Sequence, residues 1–254
     1  MPPVLASSSS SLRLIPKPLS SGSFAPYGTA ITPPLPDTLS HGPPSLSALQ
    51  PHSPAPVLAN QSSALKYNPI SPLDNNYPGH SPSAEPSSAR MSLFACFSRS
   101  LQPETPTTGL FDVSILERHP YTTQTFIPLN VAEQGPQQQR QSNEAGGDLY
   151  LVIVAPSRIG ETATADTPDG RVTVTDPPDL SKTEAFVAHR GQAVTYGAGT
   201  WHAPMVVMGQ RRVDFVVVQF ANGVGDEDCQ EVEFGKGIEV EIKIDSETGG
   251  NSKL

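Results

Sequence analysis

Short hydrophobic segments separated by turn-forming residues fill the second half of the chain. They are rich in β-branched and aromatic residues, which is typical of β-strands. The segments are FIPLN (126–130), YLVIVAP (150–156), RVTVT (171–175), AFVAH (185–189), QAVTYG (192–197), PMVVMG (204–209), VDFVVVQF (213–220) and IEVEIKI (238–244). Because they recur at short intervals, the pattern predicts an all-β barrel or sandwich rather than alternating strands and helices.

The remaining segments give weaker signals. Three strand-like stretches precede the second half: FAPYGTAI (24–31), ALKY (64–67) and MSLFACF (91–97). A helical turn or two is expected only at residues 179–186, with Ser181 as N-cap and Glu184 three residues later. Residues 135–148 and 157–178 are expected to form surface loops.

The first half differs in composition from the second. Residues 1–90 hold 18 of the 28 prolines, many serines and only seven charged side chains. Such sequence buries too little apolar surface to offset the entropy of ordering it. We therefore expect a flexible arm over residues 1–20 and one domain over 21–245. A low-complexity insertion is expected at about 36–62 and a flexible tail over 246–254.

The charge balance excludes several classes of partner. A formal net charge of −9 argues against binding to nucleic acid or to an anionic membrane surface. No apolar run is long enough to span a bilayer. Two cysteines are too few for a disulfide framework or a structural zinc site. The low cysteine count favours a reducing, cytoplasmic location. A targeting peptide at the N-terminus is the alternative, but the first 36 residues hold only two basic side chains and the strand-like segment from Phe24 starts early for a long leader.

The first candidate for chemistry is the run ERHPYTTQTFIPL (117–129). Glu117 and His119 are two residues apart and would share a face of a strand, and Gln124 follows just before an apolar segment. A carboxylate, an imidazole and an amide converging at a barrel mouth can bind a metal ion or a polar substrate. The alternative is a surface glutamate and a histidine in a turn before proline.

The second candidate is the run GQAVTYGAGTWHAPM (191–205). Gly197 and Gly199 permit tight turns, and Trp201, the one tryptophan, directly precedes His202. A histidine in this setting can also be an ordinary core residue with satisfied hydrogen bonds.

Together the two runs resemble the paired motifs of cupins, which are small double-stranded β-helix barrels. Gly191, Gly197, Gly199 and His202 match the second motif, although Gly197 stands where proline is usual. In the first motif Glu117 replaces one of two histidines and Gln124 replaces the usual glutamate, around His119. These replacements count against an iron oxygenase of the cupin superfamily, which oxygen consumption would reveal.

Longer segments resemble the ureidoglycolate lyase family, formerly called ureidoglycolate hydrolases, and its fungal branch in particular. They include ERHPYTTQTFIPL, YLVIVAP, PDLSKTEAFVA (178–188), QAVTYGAGTWHAPM, DFVVVQFANG (214–223) and EDC (227–229). The resemblance implies a cupin-like β-barrel, a homodimer and cleavage of (S)-ureidoglycolate to glyoxylate and urea in allantoin and purine catabolism. It also brings a possible divalent metal, nickel or zinc.

The chemistry of that substrate suggests roles for the candidate residues. Loss of urea requires removal of the hydroxyl proton and protonation of the departing nitrogen, which is general acid–base work. His119 or His202 would be the base or a metal ligand, and Glu117 would orient an imidazole, contact metal or shuttle the proton. Substrate contacts are expected from Gln124, Thr122, Thr123, Tyr196 and Trp201. A tentative metal set is His119, His202 and Gln124.

Other residues receive more ordinary interpretations. Arg118 is expected to face away from the site, although the basic residues Arg118, Lys182, Arg211 and Arg212 are all possible contacts for an anionic substrate. Cys229 should be unreactive beside acids and Cys96 should be a core residue, whereas Asp226, Glu227 and Asp228 should form a solvated loop.

Two further functions stay open on sequence. An amidohydrolase acting on the same substrate would release ammonia and carbon dioxide instead of urea. A non-catalytic cupin that binds a small acid would show saturable binding without turnover.

Overall fold

The computed structural model describes residues 1–5, 12–36, 38–39, 42–129, 149–189, 191–208 and 211–243. The loop expected at 135–148 and the tail expected at 246–254 lie outside these residues. The described chain is mostly β-structure, which confirms the all-β prediction. Among the described residues, no helix is long and apolar enough to cross a membrane.

Twelve strands form the larger sheet. They are β1 (Val4–Leu5), β2 (Leu12–Leu14), β3 (Lys17–Pro18), β8 (Gln102–Thr105), β9 (Thr108–Arg118), β11 (Leu149–Ala155), β12 (Thr162–Thr167), β13 (Gly170–Thr175), β14 (Glu184–His189), β16 (Trp201–His202), β17 (Val206–Met208) and β19 (Gln230–Lys243). The main path runs β13-β12-β1-β19-β9-β16-β11-β14-β3, with β17 on β11, β2 on β19 and β8 on β9.

The remaining strands form a five-stranded sheet and a separate hairpin. The smaller sheet has the order β4-β15-β10-β18-β7 and consists of β4 (Gly28–Ile31), β7 (Ser88–Cys96), β10 (Gln124–Pro128), β15 (Ala193–Tyr196) and β18 (Val213–Ala221). The hairpin pairs β5 (Val57–Ala59) with β6 (Ala64–Lys66). The other elements in the described part of the chain are two single-turn α-helices, α1 (Ser21–Phe24) and α2 (Gly225–Asp228), and two 3-10 turns, Leu46–Ala48 and Leu180–Lys182. In the described part of the chain the pairing gives open sheets, not a closed ring.

Strand β11 carries two hydrophobic cores on its two faces. Val152 and Val154 pack with Phe126 and Phe215 of the smaller sheet, so this core lies between the two sheets. The alternate residues of β11 pack into a second core within the larger sheet. Burial on both faces explains why the sequence of β11 is an unbroken apolar run.

The described N-terminal residues pair with strands of the larger sheet. Val4 and Leu5 of β1 lie between β12 and β19, and Leu5 is buried in the second core. Strand β2 pairs in parallel with β19, and Arg13 of β2 forms an ion pair with Glu104 at 2.6 Å. These residues pair with the long strand β19, which supplies the hydrogen-bonding partners that a polar, proline-rich sequence lacks by itself.

Three local predictions are also corrected. The region 157–178 is not only loop, because it contains the β12–β13 hairpin; its alternation is weak since Ala165 is its one fully buried apolar side chain. The helical turn is a single 3-10 turn at Leu180–Lys182 with Asp179, not Ser181, at the N-cap. Strand pairing with β11 takes over from Glu184 onward.

The packing of β1 generates a stability prediction. Leu5→Ala should lower the free energy of unfolding by about 2–3 kcal/mol, because it leaves a cavity in the second core. Leu39→Ala, at a position that is 42% exposed, is the matched control and should cost less than about 0.5 kcal/mol. Chemical denaturation measures both, and equal values would show that β1 does not contribute to the core.

Candidate active site

The larger sheet brings a carboxylate and an imidazole together by strand register. Strand β16 pairs with β9 so that His202 lies opposite Glu117. Residues directly opposite on antiparallel strands project from the same face and touch. The Nε2 atom of His202 accordingly lies 3.5 Å from Oε1 of Glu117. The His202 side chain is 1% exposed and that of Glu117 is 18% exposed, so the glutamate is the member of the pair that reaches the surface.

The smaller sheet supplies the opposite wall. Gln124 begins β10 and lies in register with Tyr196, which ends β15. The Tyr196 ring stacks on the His202 imidazole, with ring centroids 3.9 Å apart and planes 10° from parallel. Oε1 of Gln124 lies 3.1 Å from Nε2 of His202. The candidate site therefore lies where the two sheets meet.

His119 enters the site from just beyond the end of β9. Pro120 follows it and cannot continue the hydrogen-bonded ladder. Gly199, at φ +76°, makes the facing turn, and its N–H donates to the His119 carbonyl at 2.8 Å. The His119 and His202 rings lie 5.6 Å apart between centroids. The predicted convergence of Glu117 and His119 is thus found, although His119 lies in a turn and not on the strand.

One nitrogen of His119 has no partner. Nδ1 lies 2.6 Å from the backbone carbonyl oxygen of Asp228 and donates to it. Nε2 is buried and forms no hydrogen bond. Burial and the nearby His202 lower the pKa of His119, although the Asp228 carbonyl, Glu117 and Gln124 act against this. The Gln124 side chain is therefore close to the His119 ring. The neutral form presents a lone pair to the site.

His202 and Glu117 form the complementary pair. Nδ1 of His202 donates to the Thr200 carbonyl at 3.0 Å, so a second proton taken up by the ring resides on Nε2, facing Glu117 and Gln124. Burial of the Glu117 carboxylate would raise its pKa, but the hydrogen bond to His202 and the charges of both histidines lower it overall. Glu117 is thereby held as a carboxylate, 3.5 Å from Nε2 of His202.

The same three side chains fit a divalent metal ion. The ligand atoms of Glu117, His119 and His202 lie within 4.8 Å of one another. Two imidazole nitrogens and a carboxylate oxygen suit zinc or nickel, and the unpartnered Nε2 of His119 is free to coordinate. Glu117, for which contact with metal was one of the expected roles, takes part in this group in place of Gln124 of the tentative set, because Oε1 of Gln124 is engaged with His202.

The structure adds residues that sequence reasoning did not find. Gln219 of β18 accepts a hydrogen bond from Nε2 of Gln124 at 2.7 Å and so fixes the direction of that amide. Glu231 of β19 lies opposite Glu117 in the strand register. The ligand atoms of Glu117, Glu231 and Cys229 lie within 4.8 Å of one another. Burial and the adjacent carboxylates raise the pKa of Cys229 to about 12, as expected for an unreactive thiol. Spacing along the sequence contains no signal for these long-range neighbours.

Two predicted substrate contacts are used elsewhere. The Thr122 hydroxyl donates to the Thr123 carbonyl at 2.8 Å and accepts from the Phe220 N–H at 3.0 Å. The Thr123 hydroxyl accepts from the N–H of Asp74 at 2.9 Å. Both hydroxyl groups hold the turn between His119 and Gln124 in place.

Trp201 lies on the opposite face from His202, contrary to the expectation that it walls the pocket. Successive residues of a strand point to opposite faces, so the two side chains of β16 separate. Trp201 is fully buried in the second core, and its indole N–H donates to the Asp176 carbonyl at 2.9 Å. Arg118 covers its ring at 4.7 Å and donates to the carbonyls of Thr175 and Asp176. Arg118 faces away from the site, as expected, but is buried.

The other charged candidates also have structural partners. Lys182 pairs with Asp179 at 3.1 Å and Arg212 pairs with Asp214 at 2.7 Å. The acidic cluster is only partly solvated, because Asp226 is exposed as predicted whereas Glu227 is buried and accepts from Ser83. Its neighbours come from the first half of the chain, which local sequence does not reveal. Cys96 is partly buried against the inter-sheet core, as expected.

A separate open cleft of about 440 Å³ lies near the other end of β9. Arg99, Gln102, Phe111 and Asp112 line it. Arg99 is stacked over the Phe111 ring at 5.3 Å. The cleft contains no histidine, so the acid–base chemistry places the candidate active site at Glu117, His119 and His202 instead.

Comparison with known proteins gives one consistent family. The model of a family described as ureidoglycolate lyase matches residues 11–241. The chain is 38% identical over 190 residues to the ureidoglycolate lyase of Schizosaccharomyces pombe, covering 74% of this chain and 83% of that protein. It is 33% identical over 188 residues to the ureidoglycolate lyase of Saccharomyces cerevisiae, covering 70% and 78%. A ureidoglycolate lyase of Burkholderia mallei is 33% identical over 113 residues, which cover 44% of this chain and 46% of that protein.

Proposed function

Because this chain belongs to the ureidoglycolate lyase family, we propose that it cleaves (S)-ureidoglycolate to glyoxylate and urea at the site formed by Glu117, His119 and His202. The main support within the structure is the buried pair of histidines with different environments. One has an unpartnered ring nitrogen and the other is paired with a carboxylate. Shared family names do not favour the amidohydrolase alternative.

His119 is the proposed base. Its Nε2 takes the proton of the substrate hydroxyl, and the electrons of that O–H bond form the new carbonyl of glyoxylate. The carbon–nitrogen bond breaks and its electron pair leaves with the ureido nitrogen. A lowered pKa keeps His119 neutral, and therefore able to accept a proton, near physiological pH. No water is consumed in this elimination.

His202 is the proposed acid. It delivers the proton on Nε2 to the departing nitrogen, so that urea leaves as a neutral molecule. Glu117 supports this role because its carboxylate lies 3.5 Å from that nitrogen. Gln124, with its amide direction fixed by Gln219, is the proposed contact for the urea group. Tyr196 is the proposed wall that holds the His202 ring by stacking.

A bound metal ion is compatible with the same residues. Glu117, His119 and His202 would hold nickel or zinc, and such an ion polarises and acidifies a ligated hydroxyl. In that case His119 positions the hydroxyl and His202 remains next to Glu117. Prior chelation followed by an activity assay separates the two arrangements.

We also propose three general features of the protein: its fold, its location and its metabolic role. The placement of the site between two sheets supports a cupin-like double-stranded β-helix. Two free cysteines in the described chain support a reducing, cytoplasmic location. A role in allantoin and purine catabolism follows from the substrate.

The products provide the direct test of the reaction. Wild-type protein incubated with (S)-ureidoglycolate should release urea and glyoxylate in equal amounts, whereas ammonia would identify the amidohydrolase. His202→Ala should reduce kcat by about 10²–10⁴, the usual contribution of a general acid or base. His189→Ala removes an exposed imidazole at the end of β14 and should leave the rate unchanged. A fully active His202→Ala would overturn the site assignment.

The pKa shift of His119 predicts the acid limb of the pH profile. The base works only when neutral, so kcat/KM should fall as the pH drops through its pKa. Because that pKa lies below the usual value of about 6.5 for histidine, activity should persist to a lower pH than for an exposed histidine. An acid-limb inflection at or above about 6.5 would contradict the assignment of His119 as the base.

A second copy of the chain is the proposed partner. Strand β7 lies at the edge of the smaller sheet, where Met91 is 76% and Leu93 65% exposed. Leu93, Val216 and Ile127 lie side by side in register, and Ile127 is 40% exposed. Such a contiguous apolar face is typical of an interaction surface.

Leu93→Glu should therefore convert a dimer to a monomer, because it would bury a charge without a partner. Light scattering coupled to gel filtration measures the mass. Val172→Glu, at a position of β13 that is 40% exposed, is the control and should leave the mass unchanged. A wild-type monomer, or a Leu93→Glu dimer, would contradict the proposed interface.

A further inference from the structure

A segment of the Ser/Pro-rich half packs against the turn that carries His119. We call residues 74–83 the strap. The N–H of Asp74 donates to the Thr123 hydroxyl at 2.9 Å, and the N–H of Asn76 donates to the Tyr121 carbonyl at 2.7 Å. Through these hydrogen bonds the strap lies alongside the residues between His119 and Gln124. The first half of the chain is therefore built into the surroundings of the site.

Tyr77 is the buried anchor of the strap. Its side chain is 1% exposed, and its ring lies 5.4 Å from that of Tyr121. Its hydroxyl donates to Oδ1 of Asp228 at 2.7 Å. Burial and the Asp228 carboxylate both raise the pKa of Tyr77, so the phenol remains a hydrogen-bond donor.

Asp228 connects the strap to His119. Its carboxylate accepts from the Tyr77 hydroxyl and from the N–H groups of Asn222 and Gly223, both at 2.8 Å. These three donors fix the turn that contains α2. The backbone carbonyl of the same residue then accepts the Nδ1–H of His119 at 2.6 Å.

A second contact holds the same turn. The carboxylate of Glu227 accepts from the N–H and the hydroxyl of Ser83, each at 2.7 Å, and from the Asn222 amide at 2.6 Å. The strap thus donates hydrogen bonds to two neighbouring carboxylates of the turn, those of Glu227 and Asp228. Of these two residues, Asp228 also accepts a hydrogen bond from His119.

The Asp228 carbonyl determines which nitrogen of His119 carries the proton. A carbonyl oxygen only accepts, so the nitrogen facing it must be N–H, and in a neutral imidazole the other nitrogen then has the lone pair. Because Nε2 has no hydrogen-bond partner, no contact at that atom selects the tautomer. The hydrogen bond to the Asp228 carbonyl is therefore the contact that favours the Nδ1–H tautomer.

We propose that Tyr77 and Asp228 are positioning residues that hold His119 in its Nδ1–H tautomer, with the Nε2 lone pair directed into the site. This inference rests on the proposed function, in which that lone pair takes the substrate proton or coordinates a metal ion. The Ser/Pro-rich segment then has a defined task, which is to keep the turn at Asp228 in place.

The test compares two substitutions that each remove a single phenol hydroxyl. Tyr77→Phe keeps the ring and deletes the donor to Asp228, and Tyr67→Phe is the matched control, because Tyr67 packs against His52 outside the strap. Tyr77→Phe should lower kcat about tenfold, the effect of about 1.4 kcal/mol on the barrier, and should change KM much less. Tyr67→Phe should match wild type.

Nitrogen-15 NMR of histidine-labelled protein reads the tautomer directly. His119, assigned by the signal lost in His119→Gln, should be the Nδ1–H form in wild type and a mixture in Tyr77→Phe. A lower kcat with an unchanged tautomer would show a merely structural role and overturn the proposal. So would a wild-type kcat together with an unchanged tautomer.

Two further arms keep the outcome clear. Asp228→Asn retains the shape of the side chain and should shift the tautomer in the same direction, so it replaces Tyr77→Phe if that variant does not fold. The NMR readout does not need turnover. If wild type forms neither urea nor glyoxylate, the proposed function fails while the positioning of His119 is still decided by the spectra.

Discussion

The contact between His202 and Gln124 joins the two sheets at a point where both are buried. A polar group sealed between apolar layers costs free energy unless it is hydrogen-bonded. His202 meets this requirement with partners from three directions: the Thr200 carbonyl, the Gln124 amide and the Glu117 carboxylate. The strand register meets this requirement, because it places Glu117 opposite His202 and Gln124 at the start of β10.

His119 meets the same constraint only at one nitrogen. The Asp228 carbonyl satisfies Nδ1, while Nε2 is left without a partner. An unsatisfied buried polar atom of this kind costs about 1–3 kcal/mol, and a catalytic role is one explanation for keeping it. The difference between the two histidines, one fully partnered and one not, supports the different chemical tasks proposed for them.

Much of the architecture was predictable from local pattern. The apolar run of strand β11 predicts the strand, because both of its faces are buried. The two dense polar runs predict that Glu117, His119, Gln124 and His202 converge. Trp201 does not line the pocket although it is next to His202 in sequence, because consecutive residues of a strand point to opposite faces. Several partners that orient the site are far away in sequence, such as Tyr77 for Asp228 and Gln219 for Gln124. No local pattern encodes these contacts.

A crystal structure with oxalurate, in which a carbonyl replaces the carbinol carbon of the substrate, tests the location of the site most directly. The account predicts that the ligand lies between the sheets, with its reacting carbon next to His119 and its ureido nitrogen facing His202. Binding in the cleft lined by Arg99 and Asp112, with the space beside His119 left without ligand, would contradict it.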